Sequence, residues 1–194
     1  GDPMRTALIL ALLATPAGAF AEDAIYRFTW QGAGGYAFEG AMSFDAAKLS
    51  LGRIYEGDVQ CFVIEGRKGE LPVGRWALGM LIPETTWILT FDTEAERFVP
   101  FGPADPMPQA WNMDGYGTDC GPEGFGFNIG NYAQDICIDG TLIADSQMPP
   151  ATPFPAERVE RYDFPVDACR PSMLMSESRA PGGGLAPTRQ AKRP

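Results

Sequence analysis

The side chains with the most chemical potential crowd into one stretch, residues 105–139. Asp105, Trp111, Asn112, Asp114, Tyr116, Asp119, Glu123, Asn128, Asn131, Asp135 and Asp139 lie there among many glycines. Carboxylates and amide oxygens on a glycine-rich loop are the donor set of a hard cation, and calcium wants about six to eight such oxygens. Asp114 and Asp119 are therefore the calcium candidates, and no other cofactor is indicated. The segment Asn112-Met113-Asp114-Gly115 has the look of an EF-hand centre, but the register fails. With Gly115 as the sixth position, the first would be Ala110 and the twelfth Gly121, and neither side chain can coordinate. Any calcium site would be irregular.

The same stretch suits a second chemistry, recognition of a sugar or small ligand. Trp111 and Tyr116 would be the stacking platforms, with Asn112, Asp114 and Asp119 as hydrogen-bonding partners. Trp30, Trp76 and Trp87 read as core residues, whereas Trp111 falls in a stretch without alternation and reads as a loop residue open to either role. A glycosidase-like carboxylate pair is a third option. With 23 acidic residues between Glu22 and Cys169, spacing singles out no pair, and no catalytic residue is assigned.

Much chemistry is excluded outright. The chain has no histidine, which removes Ser-His-Asp and Cys-His pairs, histidine metal sites and the usual pH switch. Its cysteines are Cys61, Cys120, Cys137 and Cys169, with no C-x-x-C, so disulfides are expected rather than zinc or thioredoxin-type chemistry. The expected pairing is Cys120 with Cys137, closing a segment short of large side chains, and Cys61 with Cys169. In the loop-entropy picture the first bridge is worth about 3 kcal/mol. Residues 22–169 carry 23 acidic against 9 basic side chains, a net of −14. Such a body repels phosphates, so a nucleic-acid partner is excluded.

The elements that must position these residues are short strands. Tyr26, Phe28 and Trp30 alternate with Arg27, Thr29 and Gln31 over 25–31. After Gly32-Ala33-Gly34-Gly35, a second alternating run follows with Tyr36, Phe38, Met42 and Phe44 on one face. This is a β-hairpin. Asp45 caps a helical turn over 46–51 that Gly52 closes. Further strands are expected over 59–65 (central), 75–82, 85–91, 96–101, 124–130, 135–139, 142–145 and 159–164. The proline-rich stretch 148–155 should cross the surface. The fold class is all-β, an antiparallel sandwich or jelly-roll/barrel-like single domain with short helical turns, over 22–170. Residues 171–194 read as a disordered basic tail.

The segments "YRFTWQG", "GYAFEGAMSFD" and "GDVQCFVIEG", roughly 26–66, resemble exported bacterial β-domains of the exosortase-sorted (PEP-CTERM) kind. The resemblance implies an exported β-sandwich. The sequence carries no Pro-Glu-Pro signal followed by an apolar span, so it does not imply that sorting route, and it supplies no site residues.

Residues 1–3 read as an upstream extension. From Met4 a basic start, an apolar run over 7–14 and the small-residue ending Ala19-Phe20-Ala21 form a secretory signal peptide over 4–21. The run is too short to span a bilayer, so no integral membrane span is expected in the mature chain, which belongs in the periplasm or outside the cell. Three roles fit: a non-catalytic domain binding a ligand, carbohydrate or envelope partner; an extracytoplasmic hydrolase using carboxylates; or a structural envelope component. On export, the mature protein is expected to begin at Glu22, which N-terminal sequencing checks. Exported material beginning at Met4 would refute the cleavage.

Overall fold

The computed structural model describes residues 22–170. The expected upstream extension 1–3, signal peptide 4–21 and disordered basic tail 171–194 lie outside the described residues. The chain forms β1 (Asp23–Gln31), β2 (Tyr36–Asp45), β3 (Arg53–Tyr55), β4 (Val59–Lys68), β5 (Leu71–Ala77) and β6 (Thr86–Asp92). It continues with β7 (Arg97–Phe98), β8 (Gln109–Met113), β9 (Phe125–Ile129), β10 (Gln134–Ile138), β11 (Thr141–Leu142) and β12 (Phe154–Val159). All pairings are antiparallel, in the order β11-β10-β9-β8-β6-β7-β12-β1-β2-β4-β5, with β3 on β6. The all-β expectation holds.

One continuous sheet folds over on itself, and the two halves face each other through aromatic side chains. Phe38 of β2 meets Phe127 of β9 at 4.9 Å between centroids, Phe62 of β4 meets Trp111 of β8 at 4.8 Å, and Trp76 of β5 meets Trp87 of β6 at 5.3 Å. Two glycines permit the closest approach. Phe125 lies against Gly66 of β4 and Gly74 of β5, where any Cβ would overlap its ring.

The hairpin forms as its alternation requires. Tyr26, Phe28 and Trp30 are buried while Arg27 and Thr29 are exposed, and β1 and β2 pair from Asp23–Asp45 to Gln31–Ala37. Asp45 caps the 3-10 turn Ala46–Leu51 through Ala47 N, and Gly52 ends it in the left-handed conformation. Elsewhere boundaries move. The strand expected over 75–82 is β5, Leu71–Ala77, after which Leu78–Met80 is a 3-10 turn. The strand expected over 96–101 shrinks to the two residues of β7, and that over 142–145 to β11 followed by the turn Ala144–Ser146. The last strand is Phe154–Val159, not 159–164, so the end of the proline-rich stretch joins the sheet. Pro155 is tolerated because Ala156 is the residue that donates on the β7 side, to Glu96 O at 2.9 Å, while the nitrogen of Pro155 faces β1 just past the last pair of that ladder, Phe28–Ala156.

Trp111, expected in a loop, lies in β8, is fully buried and sits at the middle of the core. Its ring packs on Phe28, Phe38, Phe62, Trp87, Phe98, Phe127 and Phe154, with centroid distances from 4.8 to 6.4 Å. Its indole N–H donates to Gln109 Oε1 at 3.2 Å. Gln109, itself fully buried, donates through Nε2 to the carbonyls of Thr90 (2.7 Å) and Val99 (3.1 Å). Gln134 repeats the device. It accepts from Trp30 Nε1 at 3.0 Å and donates to Thr152 O at 2.6 Å and Pro150 O at 3.3 Å, fastening the proline-rich stretch.

Both expected disulfides form, Cys61–Cys169 and Cys120–Cys137. Each ties a non-sheet segment to the outer face of one half of the sheet. Cys120 and Cys137 join Ala110 and Met113 in a small apolar cluster beneath the β8–β9 connection. The segment after β12 runs back over β4 and β5, where Val63, Ala77 and Ala168 cluster with Tyr162 and Phe164.

Trp111→Ala is expected to lower the unfolding free energy by about 3–5 kcal/mol in a denaturant titration, the loss typical of a buried aromatic. Gln109→Leu should also destabilise, because the indole N–H and the Val99 carbonyl would be left unpaired at about 1–3 kcal/mol each, while the Thr90 carbonyl keeps its bond from Val99 N. Wild-type stability in both variants would remove Trp111 from the centre of the core.

Candidate functional site

The region that sequence reading singled out is divided by the fold. Burial removes Trp111 as a stacking platform. Asn112 is also buried; its φ of 53° places it in the left-handed region that asparagine tolerates, and its Nδ2 donates to Phe125 O at 3.0 Å. It joins β8 to β9 instead of facing a ligand. Asp105 forms a two-bond ion pair with Arg53, the shorter contact 2.7 Å. Asp139 sits at positive φ beside Gly140 in the turn between β10 and β11.

Asp114, Tyr116 and Asp119 do share one loop. Asp114 Oδ1 accepts from Thr118 N (2.7 Å) and Tyr116 N (3.2 Å), and Oδ2 accepts from Thr118 Oγ1 at 2.7 Å. Asp114 N donates to Asp119 O at 2.6 Å, and Asp119 Oδ1 accepts from Gly121 N at 2.7 Å. Cys120 then anchors the loop to β10, and Asn128 Nδ2 donates to Gly117 O at 3.3 Å. Partial burial pushes the Asp114 carboxyl up, but the hydrogen bonds from Thr118, Tyr116 and Asp119 outweigh it and hold the group below its ordinary value. The signal was present as an aspartate four residues before a threonine, a turn-forming arrangement.

These carboxylates order their own loop. Among the described residues, no three His, Cys, Asp or Glu side chains gather closely enough to hold a metal ion. What the loop presents outward is Tyr116, 83% exposed.

Two further features carry roles that the sequence did not assign. Under the loop, Asp135 of β10 stands opposite Asn128 of β9 and is 3% exposed. Its carboxylate accepts from Asn128 Nδ2 and, at 3.0 Å, from Gln147 Nε2. Desolvation raises its pKa, opposed by the bonds from Gln147 and Asn128. At a second place, Met80, Leu81, Ile82 and Val166 are exposed, and Leu81 and Val166 share a depression beside Cys169. This apolar rim was hidden because Met80 to Ile82 read as the end of a strand.

Asp135 gives a pH prediction. A carboxyl whose folded pKa is raised contributes most stability below its unfolded pKa, and loses that contribution as pH rises through the folded value. Wild-type stability should carry a declining component as pH rises from about 3.8. Asp135→Asn, which keeps a carbonyl for Asn128 and lets Gln147 turn to accept, should fold and lack that component. Identical pH–stability curves for the two proteins would contradict the assignment.

Among the described residues no helix is long and apolar enough to cross a membrane. No family model, curated protein or solved structure matches the chain.

Proposed function

We propose that this chain is a non-catalytic, extracytoplasmic binding domain, and that the disulfide-anchored loop from Asp114 to Cys120 presents its recognition surface. The observation that carries the reading is Tyr116, a large aromatic side chain held in solvent by a loop whose backbone is fastened on several sides. Ordering before contact lowers the entropy lost on binding, and a tyrosine adds broad contact area with few rotatable bonds. A ligand with a flat, hydroxyl-bearing face, such as a sugar ring of an envelope glycan, matches an exposed phenol among backbone amides. Two disulfides and the leader-like residues 4–21 support an oxidising compartment outside the cytoplasm.

A second reading is contact with a protein partner through the apolar rim. Clustered exposed side chains at Met80, Leu81, Ile82 and Val166 favour it, since monomer surfaces seldom group large aliphatic residues without use.

The test is retention on immobilised envelope glycans by wild type, Tyr116→Ala and Leu81→Ser. Tyr116→Ala should lose retention by about tenfold, corresponding to about 1.4 kcal/mol, with an unchanged melting temperature. Leu81→Ser should bind normally. Equal retention by wild type and Tyr116→Ala would end the loop reading, and loss only with Leu81→Ser would move recognition to the rim.

A further inference from the structure

The two disulfides occupy opposite environments. Cys120 and Cys137 are 3% and 0% exposed and belong to an apolar cluster. Cys61 and Cys169 are only partly buried and line an open depression together with Lys48, Asp58, Gln60 and Arg170. Cys169 also borders the neighbouring depression formed with Leu78, Leu81 and Val166, so this bond is approached from two sides. Thiol–disulfide exchange requires a thiolate to reach one sulfur while the other leaves as a thiolate, so access and nearby positive charge govern its rate. Arg170 and Lys48 place positive charge there, but Asp45 and Asp58 line the same depression and Lys48 pairs with Asp58 at 2.5 Å, so access is the feature that distinguishes this bond.

We propose that Cys61–Cys169 is a redox-addressable clasp, opened by a dithiol reductant in the folded protein while Cys120–Cys137 stays closed. One thiolate of the reductant attacks a clasp sulfur, forming a mixed disulfide and releasing the other cysteine as a thiolate. The reductant's second thiolate then attacks its own sulfur of the mixed disulfide. The reductant ends as a disulfide, oxidised by two electrons, and Cys61 and Cys169 end as two thiols after protonation.

Opening has a defined structural consequence. The clasp holds residues 160–170 across the outer face of β4 and β5. What remains after reduction is the two-bond ion pair of Arg75 with Asp167 (2.7 and 2.8 Å), the bonds from Arg170 N to Gln60 O at 2.9 Å and from Arg170 Nη2 to Glu56 O at 2.6 Å, and the small cluster of Val63, Ala77, Ala168, Tyr162 and Phe164. None of these belongs to the aromatic core, which lies on the opposite face of the sheet. Release of the strap uncovers Val63 and Ala77 beside the apolar rim and leaves the sandwich intact. The inference is independent of the role assigned to Tyr116.

The experiment treats the folded protein with dithiothreitol in native buffer, traps thiols with iodoacetamide at intervals, and maps them by mass spectrometry. Near-ultraviolet circular dichroism and hydrogen exchange are followed in parallel. Cys61 and Cys169 should be alkylated at least about tenfold faster than Cys120 and Cys137, as expected for an accessible against a buried bond. The aromatic signal should persist, and exchange should quicken in 160–170 alone. Cys61→Ser with Cys169→Ser should reproduce that exchange pattern without reductant; should the variant not fold, the wild-type time course decides. Simultaneous opening of both bonds with loss of the aromatic signal would overturn the proposal. So would earlier opening of Cys120–Cys137, or opening of the clasp with no change in exchange across 160–170.

Discussion

The contact between Trp111 and Gln109 fixes the relation of most strands in the domain. A tryptophan ring fills the space between the two sheet halves, but its indole N–H cannot be left unpaired in an aromatic interior. Gln109, two residues earlier on the same strand and therefore on the same face, supplies the acceptor. Its amide nitrogen then satisfies carbonyls at Thr90 of β6 and at Val99, just beyond β7. One polar side chain thereby reinforces the pairing of the short strand β7 with β6, which the backbone bond from Val99 N to Thr90 O at 3.0 Å extends. Rings from β1, β2, β4, β6, β7, β9 and β12 meet Trp111 directly, so displacement of β8 would disturb both halves of the sheet.

A core of this kind accounts for the two outer clusters. A folded-over sheet has two outward faces as well as the enclosed one, and here both retain apolar residues. Ala110 and Cys137 face outward on one half, Val63 and Ala77 on the other. Neither covering segment has a sheet ladder of its own to hold it down. A disulfide in each case restricts the unfolded chain and keeps the cover on its face. The bridge Cys61–Cys169 does so across a sequence separation of 108, and Cys120–Cys137 across 17.

What could be read from the residues follows the range of the interactions. The β1–β2 hairpin was legible because alternation and a glycine turn lie within one short window, and the cysteine pairing was legible from which segments lacked apolar anchors. β8 was not. Gln109-Ala110-Trp111-Asn112-Met113 is buried on both faces, so it has no polar alternation, and Asn112 interrupts it with a positive φ. The β12 boundary was hidden by Pro153 and Pro155, which argue against a strand until the minimal partner β7 is known. In the candidate site, the polarity of Asp114 and Asp119 was visible but its direction was not. A carboxylate that caps its own loop and one that binds a cation have the same local sequence. The position of Trp111 depends on rings spread from residue 28 to residue 154, and no local pattern contains them.

An interior filled by aromatic rings has consequences for recognition. Aromatic rings pack the space between the two halves of the sheet, and the two disulfide-held segments cover a small apolar cluster on each outer face. Under the proposed binding role, recognition falls to what those covers and the strand connections present. The two candidate surfaces differ in physics. Tyr116 stands on a loop ordered by charge-assisted hydrogen bonds, so little entropy remains to be lost and a polar, flat ligand can be held by stacking and amide contacts. Met80, Leu81, Ile82 and Val166 offer aliphatic area with few polar atoms to fix orientation, which suits burial against another apolar surface. The buried bond Cys120–Cys137 serves the first surface by keeping its loop rigid. The accessible bond Cys61–Cys169 borders the second, and there a change in covalent state alters how much apolar surface the domain displays.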